Sequence, residues 1–412
     1  MIRKIAGNVF IYGFVNGLKS LVPFIMLPIL TRYILPAEYG VLNLTDTCIL
    51  FLSPLLLLNV NGAISVEYFK LSGEDFKAYV LNALLVTLIS FLLFCVVLFV
   101  VKDTLSGLIG IPSSLVLLLP LFTFLRVISS IVLVIYQASE KPLKFGIFSI
   151  FQTLVDFGLS YVFVVILGKG YLGRIAGIYG AFAASSVVGL VVLYKMDIFS
   201  KPKTLKFTKN ILDFGLNLIP HSIGGVILAM ADRLFISHYL GTEEVGFYSV
   251  AYQAGAVMLL LGTSVNQAWG PTLFKLLKKK EDWKTIKELT LAVGVGFVIF
   301  AGVVFALSDL IFKYLIAEKY LRAQVFFGYL LLGFLFQSLY FLFTNYLFFY
   351  NKTRILAVIT FGGAVLNLIL NYVLIQKYGT VGVAYSTAIT WCCYFIFVAV
   401  TAMKLQKRQY GL

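Results

Sequence analysis

Apolar runs of about twenty residues recur along the whole of this chain, each long enough to cross a hydrocarbon core of roughly 30 Å as an α-helix. A bilayer core offers no water to backbone amides, so a spanning segment must be a helix or a strand of a closed barrel. Barrel strands would read as segments of about ten residues with alternating polarity, and none are found. The 412 residues are 60% hydrophobic and 12% charged, which sets the chain apart from soluble domains. The expected fold class is all-α, a polytopic membrane protein.

About 12 spans are predicted, over residues 9–30, 41–66, 80–101, 113–136, 143–167, 175–194, 214–237, 246–267, 289–308, 325–347, 355–376 and 381–403. The basic, then apolar, N-terminus MIRKIAGNVFIYGF reads as an uncleaved first span, since no small-residue cleavage site precedes the next loop. Lys and Arg set the orientation: both termini in the cytoplasm leaves about 22 basic residues inside and about 8 outside. A net charge of +15 would suggest nucleic acid for a soluble protein. Here the charge concentrates in two inside segments, residues 195–210 and 275–287, which fits topology setting and attraction to anionic lipid headgroups, not nucleic acid.

Other functions leave no trace. Cys48, Cys95, Cys392 and Cys393 fall inside predicted spans without metal-ligand spacing, so neither a disulfide framework nor a metal site is expected. The sequence has no GxxxxGK[ST] loop, GxSxG elbow or HExxH pair. Their absence speaks against an ATP-driven pump and most enzymes, and no cofactor is expected.

The chain repeats itself at about half its length. Tyr239, Glu244 and Gly246 align on Tyr33, Glu38 and Gly40 without a gap. Residues 347–378 match 136–167, with Lys352 on Lys141, Asn367 on Asp156 and Tyr372-Val373 on Tyr161-Val162. Gly379-x-x-Gly382 is then aligned on Gly177-x-x-Gly180, after a loop longer in the first half. An even number of spans per half makes these parallel repeats. Two six-helix lobes are expected, residues 1–200 and 201–412, facing each other across a cleft.

These motifs also point to a family. Asp232-Arg233-Leu-Phe-Ile-Ser followed by Glu244-x-Gly246-x-Tyr248, and in the first half Thr31-Arg32-Tyr-x-Leu-Pro36-x-Glu38-x-Gly40, resemble the polysaccharide transporter family. That family includes the Wzx-type O-antigen and capsule flippases and belongs to the multidrug, oligosaccharidyl-lipid and polysaccharide exporter superfamily. The resemblance implies a flippase, not an enzyme, working by alternating access in the bacterial inner membrane. Its cargo would be an undecaprenyl-diphosphate-linked oligosaccharide moved to the outer leaflet, with glycosyltransferases and a polysaccharide polymerase as associated partners. The competing expectations are a drug or cation exporter of the same superfamily and, from another class, an integral-membrane polymerase or ligase.

Charges at mid-depth are the independent guide to a site. An ionisable side chain at the bilayer centre costs roughly 2.5–3.5 kcal/mol even on the lenient insertion scale, so it faces a cavity or a partner. Lys19 sits near the middle of the first span beside Asn16, Arg126 deep in the fourth and Asp156 deep in the fifth. For a diphosphate cargo, Arg can bind phosphate bidentately and Lys as a point charge. Lys19, Arg126 and Asn16 are therefore the candidate substrate contacts. The plainer expectation is that Lys19 or Arg126 pairs with Asp156 to neutralise buried charge.

Asp46, Asp156, His221, Asp232 and Arg233 are candidates for coupling or structural charge. His221 could carry a proton or pack against a neighbouring helix. Asp232-Arg233 reads as an interfacial ion pair, and Asn367 and Asn371 give the second half a polar face. Gly224-Gly225 and Gly362-Gly363 are expected to permit close helix packing, or else to act as hinges.

Overall fold

The computed structural model describes residues 2–200, 206–279, 283–350 and 352–410, and every regular element among them is helical. The α-helices are α1 (Ile2–Tyr33), α2 (Pro36–Leu57), α3 (Val60–Glu67), α4 (Gly73–Ile109), α5 (Ser113–Ala138), α6 (Pro142–Tyr161) and α7 (Gly170–Lys195). After them come α8 (Thr208–Leu240), α9 (Thr242–Gly255), α10 (Val257–Lys279), α11 (Trp283–Ala306), α12 (Ser308–Leu310), α13 (Gln324–Phe349) and α14 (Thr353–Tyr410). Among the described residues, ten helical stretches are long and apolar enough to cross a membrane. One of them, Val358–Gln406, is broken at Gly379 (φ 58°, ψ −141°), and α1 adds a helix of 32 residues. Each of the twelve expected spans thus has a helical counterpart.

The second span is interrupted where none was expected. Leu58 and Asn59 both adopt φ 49° between α2 and α3, a left-handed conformation uncommon outside glycine. Surrounding contacts hold it: the Asn59 amide donates to the Gly215 carbonyl at 3.4 Å and accepts from the Ser222 hydroxyl at 3.0 Å. Gly215 lies so close to the Leu58 carbonyl that a β-carbon would overlap it. Farther along the same seam, the Tyr79 hydroxyl donates to Asn210 at 2.9 Å. The break thereby seats the first turns of α8.

The chain groups into two compact units, Met1–Val226 and Ile227–Leu412, divided within α8 just after Gly224-Gly225. In the first unit, α3, α4 and α5 bury Ile64, Tyr79, Val80, Ile131 and Val132 against one another. In the second, the two arms of α14 fold back about Gly379. Gly363 leaves room for the Tyr394 ring, and the Asn367 amide donates to Ser386 and Thr390, both at 3.5 Å.

The structure corrects the repeat register in this last hairpin. Gly379 has φ 58°, and its counterpart is Gly170 (φ 52°) at the start of α7. Gly382 packs under the Leu374 carbonyl as Gly173 packs under that of Phe163. The repeated glutamates agree, since Glu38 lies against Gly170 while Glu244 accepts from Thr380 at 2.6 Å. Gly170-x-x-Gly173, not Gly177-x-x-Gly180, thus answers Gly379-x-x-Gly382. Spacing alone could not choose between two glycine pairs of equal separation.

The glycine expectations divide as well. Gly363 sits against Tyr394, but Gly224, Gly225 and Gly362 have no described atom within 4 Å of where a β-carbon would be. Among the described residues, those three therefore make no close packing contact.

Candidate functional site

Four helices of the first unit turn one stripe each toward a cavity of about 430 Å³. From α5 come Arg126, Ser129, Ser130 and Leu133, and from α7 come Arg174, Ile178, Ala181 and Phe182, at the three- and four-residue spacing of a single helical face. Gln152, Thr153 and Asp156 enter from α6, and Lys19, Val22 and Pro23 from α1. Asn61 and Leu57 complete the wall beside the α2–α3 break. Three of the charges expected to face a cavity, Lys19, Arg126 and Asp156, line this one. The side chain of Asn16 lies outside the described residues.

The pairing differs from the expectation. Asp156 takes neither Lys19 nor Arg126. Its carboxylate accepts from Arg174 Nη1, which also reaches the Ser160 hydroxyl, and from Arg174 Nη2 at 3.5 Å. Arg174 stands just before the predicted sixth span, which starts at residue 175, and so falls in the preceding loop on spacing alone. The helix begins earlier, at Gly170, because the left-handed turn at Gly168 and Gly170 lets α7 fold straight back onto α6. Gly177 then lies against Ser160 with no room for a β-carbon, and Arg174 comes level with Asp156.

Arg126 pairs instead with Asp46 of α2, Nη2 to Oδ1 at 3.8 Å, with Tyr179 of α7 between them. The Tyr179 hydroxyl donates to Asp46 at 3.1 Å and accepts from Arg126 at 3.5 Å. Tyr179 is itself fixed by stacking on Phe122, with ring centroids 3.9 Å apart and planes 10° apart. The guanidinium also faces the Phe182 ring at 4.9 Å, a cation–π contact that favours charge in an apolar wall. Arg126 Nε is buried and has no partner among the described residues. Lys19 makes no ion pair among them. Tyr179 was not singled out in the sequence, where it is one of 24 tyrosines with no marker of its partner.

In the second unit the Asp232-Arg233 expectation fails. Neighbours on a helix point about 100° apart, and here they meet opposite parts of one residue, Asp232 the Tyr248 hydroxyl and Arg233 the face of its ring at 5.8 Å. Asp232, 2% exposed, accepts from Tyr248 at 2.6 Å, Thr387 at 2.8 Å and Asn371 at 2.8 Å. Arg233, 3% exposed, lies 4.2 Å from the Tyr252 ring centroid and donates to the Ala229 carbonyl at 3.2 Å. Among the described residues the two form no ion pair with each other. The Asn367–Asn371 face is buried as part of the same cluster, with Asn371 donating to Asn367 at 3.1 Å. His221 is exposed and has no hydrogen bond among the described residues, so it is not the packed, bonded histidine expected.

The sequence model of the family described as polysaccharide biosynthesis protein matches residues 5–277, and the MatE model matches residues 219–373. Lsg locus putative protein 1 of Haemophilus influenzae is 23% identical, over 82% of this chain and 83% of its own length. A putative O-antigen transporter of Shigella flexneri is 26% identical, over 67% of this chain and 65% of its own length. Among solved structures, the lipid II flippase MurJ in an inward closed conformation superposes with a TM-score of 0.75 at 15% identity, over 96% of this chain and 87% of that one. An inward-facing multidrug resistance MATE family transporter gives 0.71 at 13% identity, over 94% and 96%. At these identities the superpositions speak to the fold alone, a multi-pass bundle of membrane-spanning helices.

Proposed function

The chain belongs to the polysaccharide biosynthesis protein family, within the multidrug, oligosaccharidyl-lipid and polysaccharide exporter superfamily, and on that premise we propose that it is a flippase for undecaprenyl-diphosphate-linked oligosaccharide. The cargo moves from the cytoplasmic to the outer leaflet of a bacterial inner membrane by alternating access, between lobes of residues 1–200 and 201–412. Both termini lie in the cytoplasm. The glycosyltransferases and polymerase of the same polysaccharide act before and after it, and it does no chemistry on its cargo.

One observation carries this reading: the cavity of the first unit is lined by three cations, Lys19, Arg126 and Arg174, and by one carboxylate, Asp156. A diphosphate presents concentrated negative charge that a cation at mid-depth stabilises where bulk water is scarce. Arg174 is already held by Asp156, and Arg126 by Asp46. Lys19 is the cation left for cargo, and Arg126 lines the same cavity. Asn61, Gln152 and Thr153 supply neutral donors and acceptors for a polar headgroup. An outward-moving anion also descends an inside-negative potential, worth about 2.3 kcal/mol per charge per 100 mV.

A cationic drug would favour a cavity in which acids outnumber cations, the reverse of this lining. The test is transport of a labelled lipid-linked oligosaccharide in proteoliposomes, with pH gradient and potential varied separately. Lys19→Ala and Arg126→Ala are each expected to abolish transport, and Lys19→Arg to retain part of it. Full activity in both alanine variants would overturn the cation site.

A further inference from the structure

A second cavity, of about 360 Å³, opens between α11, α13 and α14 in the second unit. Its wall is hydrocarbon over nearly its whole length, from Leu291, Val295 and Val298 on α11 to Leu339, Leu342 and Phe343 on α13. The polar exception inside it is already satisfied, since the Thr290 and Tyr346 hydroxyls bond each other at 3.0 Å. Val298 also lines a neighbouring cavity of about 700 Å³ that continues toward Asp309 and Gln324. Together they form a groove along α11, whose 24 residues span about 36 Å at 1.5 Å per residue.

Such a groove on a membrane-spanning helix takes an apolar chain, because water gains no hydrogen bonds there. What identifies the chain is its end. Lys287 is the charged residue lining the 360 Å³ cavity, beside Trp283 at the start of α11. Lys284 lies one turn away on the same side and is exposed, as is Lys287. Tryptophan favours the headgroup level, and a lysine there attracts an anionic lipid. Glu288 is also exposed; it lies one turn from Lys284 and offsets that lysine, whereas Lys287 is the charged residue that lines the cavity itself.

We propose that this groove seats one acyl chain of an anionic phospholipid, with the headgroup phosphate on Lys287 and its glycerol region against Trp283. The site is separate from the cavity of the first unit, and the inference does not rest on the flippase reading. Bulk lipid touches the exposed residues in any case. The claim here is a preference for an anionic headgroup coupled to occupancy of one groove.

The experiment uses the full chain reconstituted in phosphatidylcholine vesicles that contain brominated phosphatidylglycerol or brominated phosphatidylcholine at equal mole fraction. Tryptophan fluorescence reports contact, and Trp283→Phe identifies the part of the quenching that arises at the groove. Brominated phosphatidylglycerol should quench that part about fivefold more effectively, the weight of one lysine near an anionic surface. Lys287→Gln should bring the ratio near one. A β-carbon at Gly294 would lie 3.5 Å from Leu339, so Gly294→Leu has room at its base and projects into the groove, and it should reduce quenching by both lipids.

Equal quenching by the two lipids in the wild type overturns the proposal, as does a ratio unchanged in Lys287→Gln or no quenching lost in Trp283→Phe. Loss of preference in Lys287→Gln with full quenching in Gly294→Leu means surface attraction without a seated chain, which also overturns it. Displacement by about one mole per cent of undecaprenyl phosphate would assign the groove to a polyprenyl carrier instead.

Discussion

Arg174 reaches Asp156 across the α6–α7 hairpin, with Nη1 on Oδ1 and Nη2 3.5 Å from Oδ2. The arrangement places a neutralised pair in the wall of a cavity whose remaining lining charges, Lys19 and Arg126, are both positive. It also explains why the hairpin needs glycine at position 177, since a side chain there would push Ser160, and with it Asp156, away from α7.

Removing one partner of this pair should cost more than removing both. Asp156→Ala strands the Arg174 charge, and the expected loss is about 2 kcal/mol, below the ~3–5 kcal/mol of a fully buried pair because the cavity admits some solvent. Asp156→Ala with Arg174→Gln should recover at least half of it. Thermal unfolding of the purified variants in detergent measures the cycle, and additive losses would contradict a direct pair.

Lys19 and Arg126 should separate by stability. Lys19 makes no ion pair among the described residues, so Lys19→Ala should change unfolding by less than about 0.5 kcal/mol while abolishing transport. Arg126→Ala leaves Asp46 and the Tyr179 hydroxyl without their cation and should lower both. Tyr179→Phe, which removes the bridge but neither charge, should fall between them in stability and retain part of the transport. Unfolding and transport recorded on the same preparations decide this.

Asp232 should behave as a buried acceptor that forms no ion pair among the described residues. Asp232→Ala removes the acceptor used by Tyr248, Thr387 and Asn371. Thr387 can turn to the Val383 carbonyl and Tyr248 to the Thr387 hydroxyl, each at 3.2 Å. The Asn371 N–H is left unmatched, at a cost of about 1–3 kcal/mol. Tyr248→Phe removes a single donor and should cost about 1.5–3 kcal/mol, the worth of a hydrogen bond to a charged group. If Arg233→Gln proved as damaging as Asp232→Ala through loss of an ion pair, the double variant would show strong coupling, and none is expected.

The glycines should sort by what surrounds them. Gly177→Ala drives a β-carbon into Ser160 and should destabilise by about 1–3 kcal/mol. Gly225→Ala meets no described atom within 4 Å and should gain up to about 1 kcal/mol from helix propensity. If Gly224-Gly225 is a hinge, that stiffer helix will transport more slowly while unfolding at a higher temperature. An unchanged transport rate would remove the hinge reading.

The class of this protein and its helical spans were legible in its sequence because hydrocarbon imposes a local rule. Each spanning segment must be long, apolar and internally hydrogen-bonded, and such a segment declares itself within about twenty residues. The same rule exposed Lys19, Arg126 and Asp156 as misfits, and these three line one cavity. Partnership is a different matter. Asp156 with Arg174, Asp46 with Arg126 through Tyr179, and Asp232 with Asn371 and Thr387 are contacts between helices. Nothing in the spacing along one helix says which face of another it meets. The tertiary structure decided these pairings through the rotation of each helix and through turns such as Gly170 and Leu58–Asn59. A left-handed residue there resets which side chains come level, and a one-residue change in a turn rotates the following helix by about 100°.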